Sequence, residues 1–184
     1  MRLFIGIALN GEAPELLGRV KERFARDSGD LRWMPPDTWH VTLQFLGETG
    51  PDQAACVSAR LAQIRAHPVP IAIGNPGFFE RAGVFHAEVA LSPELFALQQ
   101  QVIAATRPCG FIPEQRPYQP HITLARARGK SGRTALAPLR AAVTRARFHL
   151  AVKCTATEFR LYESFPGPAG SRYEVRAQFP LPAA

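Results

Sequence analysis

The sequence is poor in cysteine: Cys56, Cys109 and Cys154 are the only three in 184 residues. They are odd in number and far apart, form no Cys-x-x-Cys pair, and stand at no zinc spacing from any histidine. A disulfide scaffold and a Cys/His metal site are excluded, and a reducing, cytoplasmic compartment is expected. No apolar stretch approaches the roughly 18 residues of a membrane span. The short apolar run near the start is followed by Glu12 and Pro14 without a small-residue cleavage site, so it reads as a first strand rather than a signal peptide. Gly-x-Ser-x-Gly is missing and no cysteine sits in a reactive context, which argues against a serine or cysteine hydrolase. Gly129-Lys130-Ser131 is not a P-loop, because the required first glycine falls at Leu124.

Lysine is scarce too, at Lys21, Lys130 and Lys153, so most of the 22 basic residues are arginine. Against 15 acidic residues they leave a net charge of +7 and a pI near 10.0. Guanidinium forks match phosphate oxygens, which points to phosphate or nucleic-acid partners; a codon bias toward arginine accounts for the charge equally well. The hydrophobic fraction of 46% and charged fraction of 20% are those of an ordinary globular chain, and the length suits one domain spanning 1–184.

Patterning predicts strands at 3–9, 40–47, 71–73, 77–79, 84–91, 121–126, 148–152, 154–162 and 173–179. Helices are predicted at 13–24, at 52–66 with Pro51 in its first turn, and from Pro93 to about 106 with Ser92 as N-cap. A short helix is predicted to end near Leu139, after a basic loop at 129–133. Strands and helices mix without a βαβ rhythm, so the fold class is α+β with largely antiparallel sheet.

One pattern carries chemistry. His40-Val41-Thr42-Leu43 and His121-Ile122-Thr123-Leu124 lie 81 residues apart, each after a proline-containing approach and at the start of an apolar strand. On a strand, residues i and i+2 share a face, so His40 points with Thr42 and His121 with Thr123. A single His-x-Thr on a strand is ordinary, since threonine is simply a good strand former. Two in matching contexts, half a chain apart, suggest two imidazoles and two hydroxyls meeting across a cleft. One histidine taking a proton from water while the other protonates a leaving oxygen is what phosphodiester hydrolysis requires, and no metal is needed. His67, His86 and His149 lack this context and read as surface or structural residues.

The two motifs and their flanks resemble the 2H phosphoesterase superfamily, and more narrowly the RNA 2',3'-cyclic phosphodiesterases, also called 2'-5' RNA ligases. Arg2 to Ala8 is similar to that family's opening strand, Trp39 to Gly47 to its first motif and His121 to Arg126 to its second. Leu161 to Ser164 and Gly170 to Tyr173 resemble its closing pattern. The resemblance implies two pseudo-symmetric lobes with outer helices and a central cleft, no cofactor and no metal. It implies substrates that are RNA ends or nucleoside 2',3'-cyclic phosphates, opened to a 2'-phosphomonoester, with reversible 2'-5' ligation as a further activity. His40 would be the general acid, His121 the base, and Thr42, Thr123 and Arg126 the phosphate ligands. Strict alternation places Arg126 opposite His121, so its participation requires the strand to end or bulge between them.

Phe45 and Phe79 are candidates for stacking on a base, and Arg126, Arg128, Lys130 and Arg133 for steering RNA phosphates. The loop at 166–170 is either a flap over the cleft or an ordinary hairpin connection. Alternatives are a 2H enzyme for another phosphoester, such as an ADP-ribose cyclic phosphate or an RNA 3' end to be trimmed, and a non-catalytic RNA-binding module. Nothing in the sequence demands more than a monomer.

Overall fold

A computed structural model describes residues 1–128, 132–167 and 170–182, without the side chains of residues 132 and 133. Nine strands form one antiparallel sheet: β1 (Arg2–Ala8), β2 (Leu31–Trp33), β3 (His40–Glu48), β4 (Val69–Phe79), β5 (Val84–Val89), β6 (His121–Ala127), β7 (Val152–Ala156), β8 (Glu158–Phe165) and β9 (Arg172–Pro180). The helices are α1 (Ala13–Phe24), α2 (Pro51–Leu61), α3 (Pro93–Thr106) and α4 (Gly132–Ala146).

The strand order is β7-β4-β5-β6-β3-β1-β8-β9, with β2 added alongside β6. β3 and β6 touch through one residue pair, Val41 opposite Ile122. That pair divides the sheet into two four-strand flanks of matching order, in which β3 corresponds to β6 and β1 to β5. The α+β antiparallel architecture follows the sequence reading, and the two halves are flanks of a continuous sheet.

One face of the sheet carries the core. Leu3, Ile5 and Ile7 of β1, Val41 and Leu43 of β3, and Ile122 and Leu124 of β6 are buried with the helices' apolar stripes. Those stripes include Leu17, Val20 and Phe24 of α1, Leu95, Leu98 and Val102 of α3, and Leu136 and Leu139 of α4. Alternation therefore sends His40, Thr42, His121 and Thr123 to the opposite face, where all four are half-buried.

α1 and α3 match the predicted ranges, and the Ser92 hydroxyl caps α3 by accepting from the Leu95 amide at 3.1 Å. Other boundaries moved. β4 is one strand of 11 residues, because the turn-like Gly74-Asn75-Pro76-Gly77 is absorbed as an irregularity in its pairing with β5. α2 ends at Leu61 rather than 66, and α4 continues past Pro138 to Ala146. The strands predicted at 148–152 and 154–162 are instead divided at Thr157 into β7 and β8, Thr157 accepting from the Leu181 amide with its carbonyl.

The cysteine reading needs correction as well. Cys56 and Cys109 form a disulfide across 53 residues, tying α2 to the helical turn that follows α3, while Cys154 is free. Packing of α2 on α3 brings the two together, which spacing alone does not reveal. Lys130 and the side chain of Arg133 in the expected basic loop, and Pro168 and Ala169 of the Pro/Gly loop, lie outside what the structure describes.

Candidate functional site

The two motif strands carry the same irregularity at the same residue. In the β1–β3 ladder Ile5 pairs with Gln44 and Gly6 with Thr42, leaving Leu43 as the extra residue of a bulge. In the β5–β6 ladder Phe85 pairs with Ala125 and His86 with Thr123, leaving Leu124 extra. A bulge inverts the alternation beyond it. Leu124 and Ala125 are therefore both fully buried, and Arg126 returns to the face of His121. Gln44 is driven into the core by the corresponding bulge, where its carbonyl accepts from the Thr106 hydroxyl at 2.8 Å. Phe45, the counterpart of Arg126, emerges 62% exposed on the histidine face.

Each histidine is oriented by the chain just before its strand. His40 Nδ1 donates to the Thr38 carbonyl at 2.6 Å, and His121 Nδ1 donates to the Gln119 carbonyl at 2.8 Å. A carbonyl only accepts, so Nδ1 carries the hydrogen and the neutral ring presents Nε2 as an acceptor. The approach segments are latched in turn: Tyr118 donates its hydroxyl to the Thr42 carbonyl at 2.9 Å, and the Met34 amide donates to the Leu124 carbonyl at the bulge.

The rings sit in unlike surroundings. His40 lies 4.7 Å from the Phe4 ring, with Tyr173 edge-on at 5.3 Å and Tyr162 behind at 6.0 Å. Gly6 allows this approach, since a Cβ there would come within 2.9 Å of the Val41 carbonyl and 3.3 Å of His40 Cδ2. His121 meets Phe79 edge-on at 4.8 Å and His86 at 5.4 Å. His86 itself is 4% exposed and stacked on Phe79 at 4.0 Å.

Burial biases the imidazoles toward their neutral form. Burial lowers His40 to about 4, with the charges of His121 and Arg126 adding and the Thr38 carbonyl opposing. Burial likewise lowers His121, aided by Arg126 and opposed by the Gln119 carbonyl. Burial lowers His86 to about 4, with His121 adding. Arg126 thus projects its charge onto both motif histidines. Arg32, directly opposite Arg126 in the β2–β6 ladder, and Tyr173 complete the polar surroundings.

His40, Thr42, His121, Thr123 and Arg126 are all brought to one face. Phe45 is open on that face, whereas Phe79 is committed to His86 and His121. Arg128, His67 and His149 are exposed. His86 is structural, as expected for a histidine outside the motifs; its place beside His121 comes from strand register, which local pattern does not show. Arg32 was missed since three-residue β2 gives too short a signal; Tyr173 was visible only within the family's closing pattern. Among the described residues, no group of three or more His, Cys, Asp or Glu is placed to hold a metal.

Two histidines, each with Nδ1 turned to a backbone carbonyl, thus share one sheet face with two threonines and an arginine on a duplicated antiparallel scaffold. The 2'-5' RNA ligase superfamily model matches residues 12–164, and the chain belongs to that family. It is 33% identical to an RNA 2',3'-cyclic phosphodiesterase of Bacillus subtilis over 131 residues, 67% of this chain and 69% of that protein. It is 30% identical over 128 residues to a protein of the same name from Geobacillus stearothermophilus, covering 67% of this chain but 41% of the longer relative. Among solved structures, Escherichia coli LigT complexed with 3'-AMP superposes with a TM-score of 0.77 at 25% identity, covering 98% of this chain and 97% of that one.

Proposed function

We propose that this chain hydrolyses the 2',3'-cyclic phosphate of RNA ends or nucleotides to a 2'-phosphomonoester. The carrying observation is the pair of imidazoles, each pinned through Nδ1 and offering Nε2 to the same face as Thr42, Thr123 and Arg126. The family's curated relatives, named for this reaction, support it.

In this reading water attacks phosphorus as one Nε2 takes its proton; the P–O3' bond breaks as the other imidazolium protonates O3'. One water is consumed, and the two histidines exchange protonation states, which solvent restores. By family resemblance His121 is the base and His40 the acid. Thr42, Thr123 and Arg126 hold the non-bridging oxygens as charge builds on them. Phe45, exposed at the position equivalent to Arg126, offers a face to the base. A 5'-hydroxyl in place of water would use the same groups to form a 2'-5' linkage.

All five groups come from one chain, which supports a monomer as the working unit, and RNA ends as substrate support the cytoplasm as its place. No helix among the described residues is long and apolar enough to cross a membrane. The test is incubation of a short RNA ending in a 2',3'-cyclic phosphate, with EDTA present, followed by ³¹P NMR. A single 2'-monophosphate is expected. A 3'-monophosphate, a strict divalent-metal requirement, or no turnover by folded protein refutes the reading.

A further inference from the structure

Arg32 and Arg126 stand directly opposite each other in the β2–β6 ladder, on the face that carries His40 and His121. Like charges at directly opposed positions of a sheet repel. No ion pair to a carboxylate relieves either one among the described residues. Arg32 Nε is buried with no hydrogen-bond partner. The Arg32 guanidinium is pressed against Gly170, where a Cβ would lie 3.4 Å from both Cζ and Nε. Tyr173, which feels the charges of both arginines, shares this space with His40. Arg32 as a whole is half-buried, and its Nε, shut off from solvent, meets no acceptor among the described residues, which costs free energy unless a ligand supplies one. Two guanidinium groups side by side present the positive charge and forked N–H donors that the oxygens of a phosphoryl group accept.

We propose that Arg32 is a further substrate-contacting residue, which with Arg126 forms a two-guanidinium cradle selective for the dianionic phosphoryl group. This rests on the cyclic phosphodiesterase reading above. A cyclic phosphodiester carries one negative charge, which one guanidinium balances. As water loses its proton to the base and adds to phosphorus, a second negative charge develops on the non-bridging oxygens; the acid's proton on O3' leaves a monoester monoanion, whose P–OH then ionises so that the product is mostly dianionic at pH 7. The second guanidinium therefore has its full effect only on the transition state and the product, and interactions of that kind raise kcat rather than lower KM. The same preference makes the 2'-phosphomonoester a tighter ligand than the substrate, so product inhibition is built into the site.

The experiment compares wild type, Arg32→Gln and Arg32→Lys by calorimetric titration with 2'-AMP, by thermal melting with and without it, and by turnover of 2',3'-cyclic AMP. For Arg32→Gln the expected result is a melting temperature no lower than wild type without ligand, because a repulsion has been removed. Its 2'-AMP affinity falls about 10–10²-fold, and kcat falls by a similar factor with KM little changed. Arg32→Lys keeps the charge without the fork and falls between, and it carries the test if the glutamine variant does not fold. A lowered melting temperature with unchanged 2'-AMP affinity and kcat overturns the proposal and makes Arg32 a tie for the Gly170 segment. A rise in KM with kcat intact overturns the dianion preference. A wild type that binds 2'-AMP through Arg32 yet leaves the cyclic phosphate intact overturns the hydrolase reading while the cradle stands.

Discussion

With both motif histidines held below their ordinary range, the protonation state needed for catalysis is confined to the acid side in the free enzyme. The reaction needs one imidazole and one imidazolium. His40, lowered to about 4, is protonated in about one free molecule in 10³ at pH 7. Since His121 is lowered too, the singly protonated pair gives way to the doubly neutral one as pH rises. kcat/KM reports the free enzyme and is expected to fall about tenfold per pH unit on that limb. A bound phosphate anion favours the imidazolium, so the kcat profile is expected at higher pH than that of kcat/KM. Arg126 provides the internal control. Its cation disfavours protonation of both rings, so Arg126→Gln moves both limbs of the bell upward in pH, whatever it costs in rate, here about 10²–10³-fold. The assay is initial rates on a nucleoside 2',3'-cyclic phosphate from pH 4 to 9 in EDTA, with a solvent isotope effect to establish that chemistry limits. The limbs belong to the coupled pair rather than to either ring. A profile flat from pH 5 to 9, or limbs that move downward in Arg126→Gln, refutes the reasoning.

Phe45→Ala is expected to raise KM for nucleotide substrates about tenfold while leaving inorganic phosphate binding alone, since stacking on a base is worth about 1–3 kcal/mol; equal losses for both ligands in titration would remove Phe45 as a base platform. Acid should destabilise the protein in a defined window. Unfolded His86 takes up its proton near 6.5 and folded His86 only near 4, so its contribution is complete above about 6.5 and lost toward 4, amounting to about 3 kcal/mol. His86→Phe should flatten that dependence in pH-resolved melts, and parallel curves for the two proteins would sink the assignment. Reduction of Cys56–Cys109 opens a link across 53 residues and should lower stability by about 4 kcal/mol in the chain-entropy model. Because the bond joins helices on the core side of the sheet, kcat/KM should survive wherever the reduced protein remains folded. Inactivation without unfolding by circular dichroism would contradict that.

What was legible in the sequence was what local pattern encodes. The helical repeat of Leu17, Val20 and Phe24, the Ser92-Pro93 start of α3, and the apolar runs after His40 and His121 each specify an element without help from elsewhere. Residues whose position depends on a partner strand were not legible. His86 reaches His121 because β5 pairs with β6 in one register, and Arg32 reaches Arg126 because β2, too short to show alternation, is held in place by that ladder. The disulfide is of the same kind, set by the packing of α2 on α3.

The bulges explain how a duplicated motif yields an unsymmetric site. Each inserts one residue after His-x-Thr, at Leu43 and at Leu124, and each turns the side chain three positions beyond the threonine back toward the histidines. The sequence differs at that shared position: Arg126 in one flank, Phe45 in the other. The neighbouring strands differ in the same sense. Gly6 and Ala8 of β1 leave His40 among aromatic rings, while His86 and Glu88 of β5 occupy the corresponding places beside His121. Two strands of the same geometry thereby offer opposite chemistry, a cation on one side and an exposed aromatic face on the other. A nucleotide is itself divided in that way. On the reading proposed above, the scaffold's symmetry would bring the two histidines to a common phosphorus, and the departures from symmetry at Phe45 and Arg126 would set which way round the nucleotide lies.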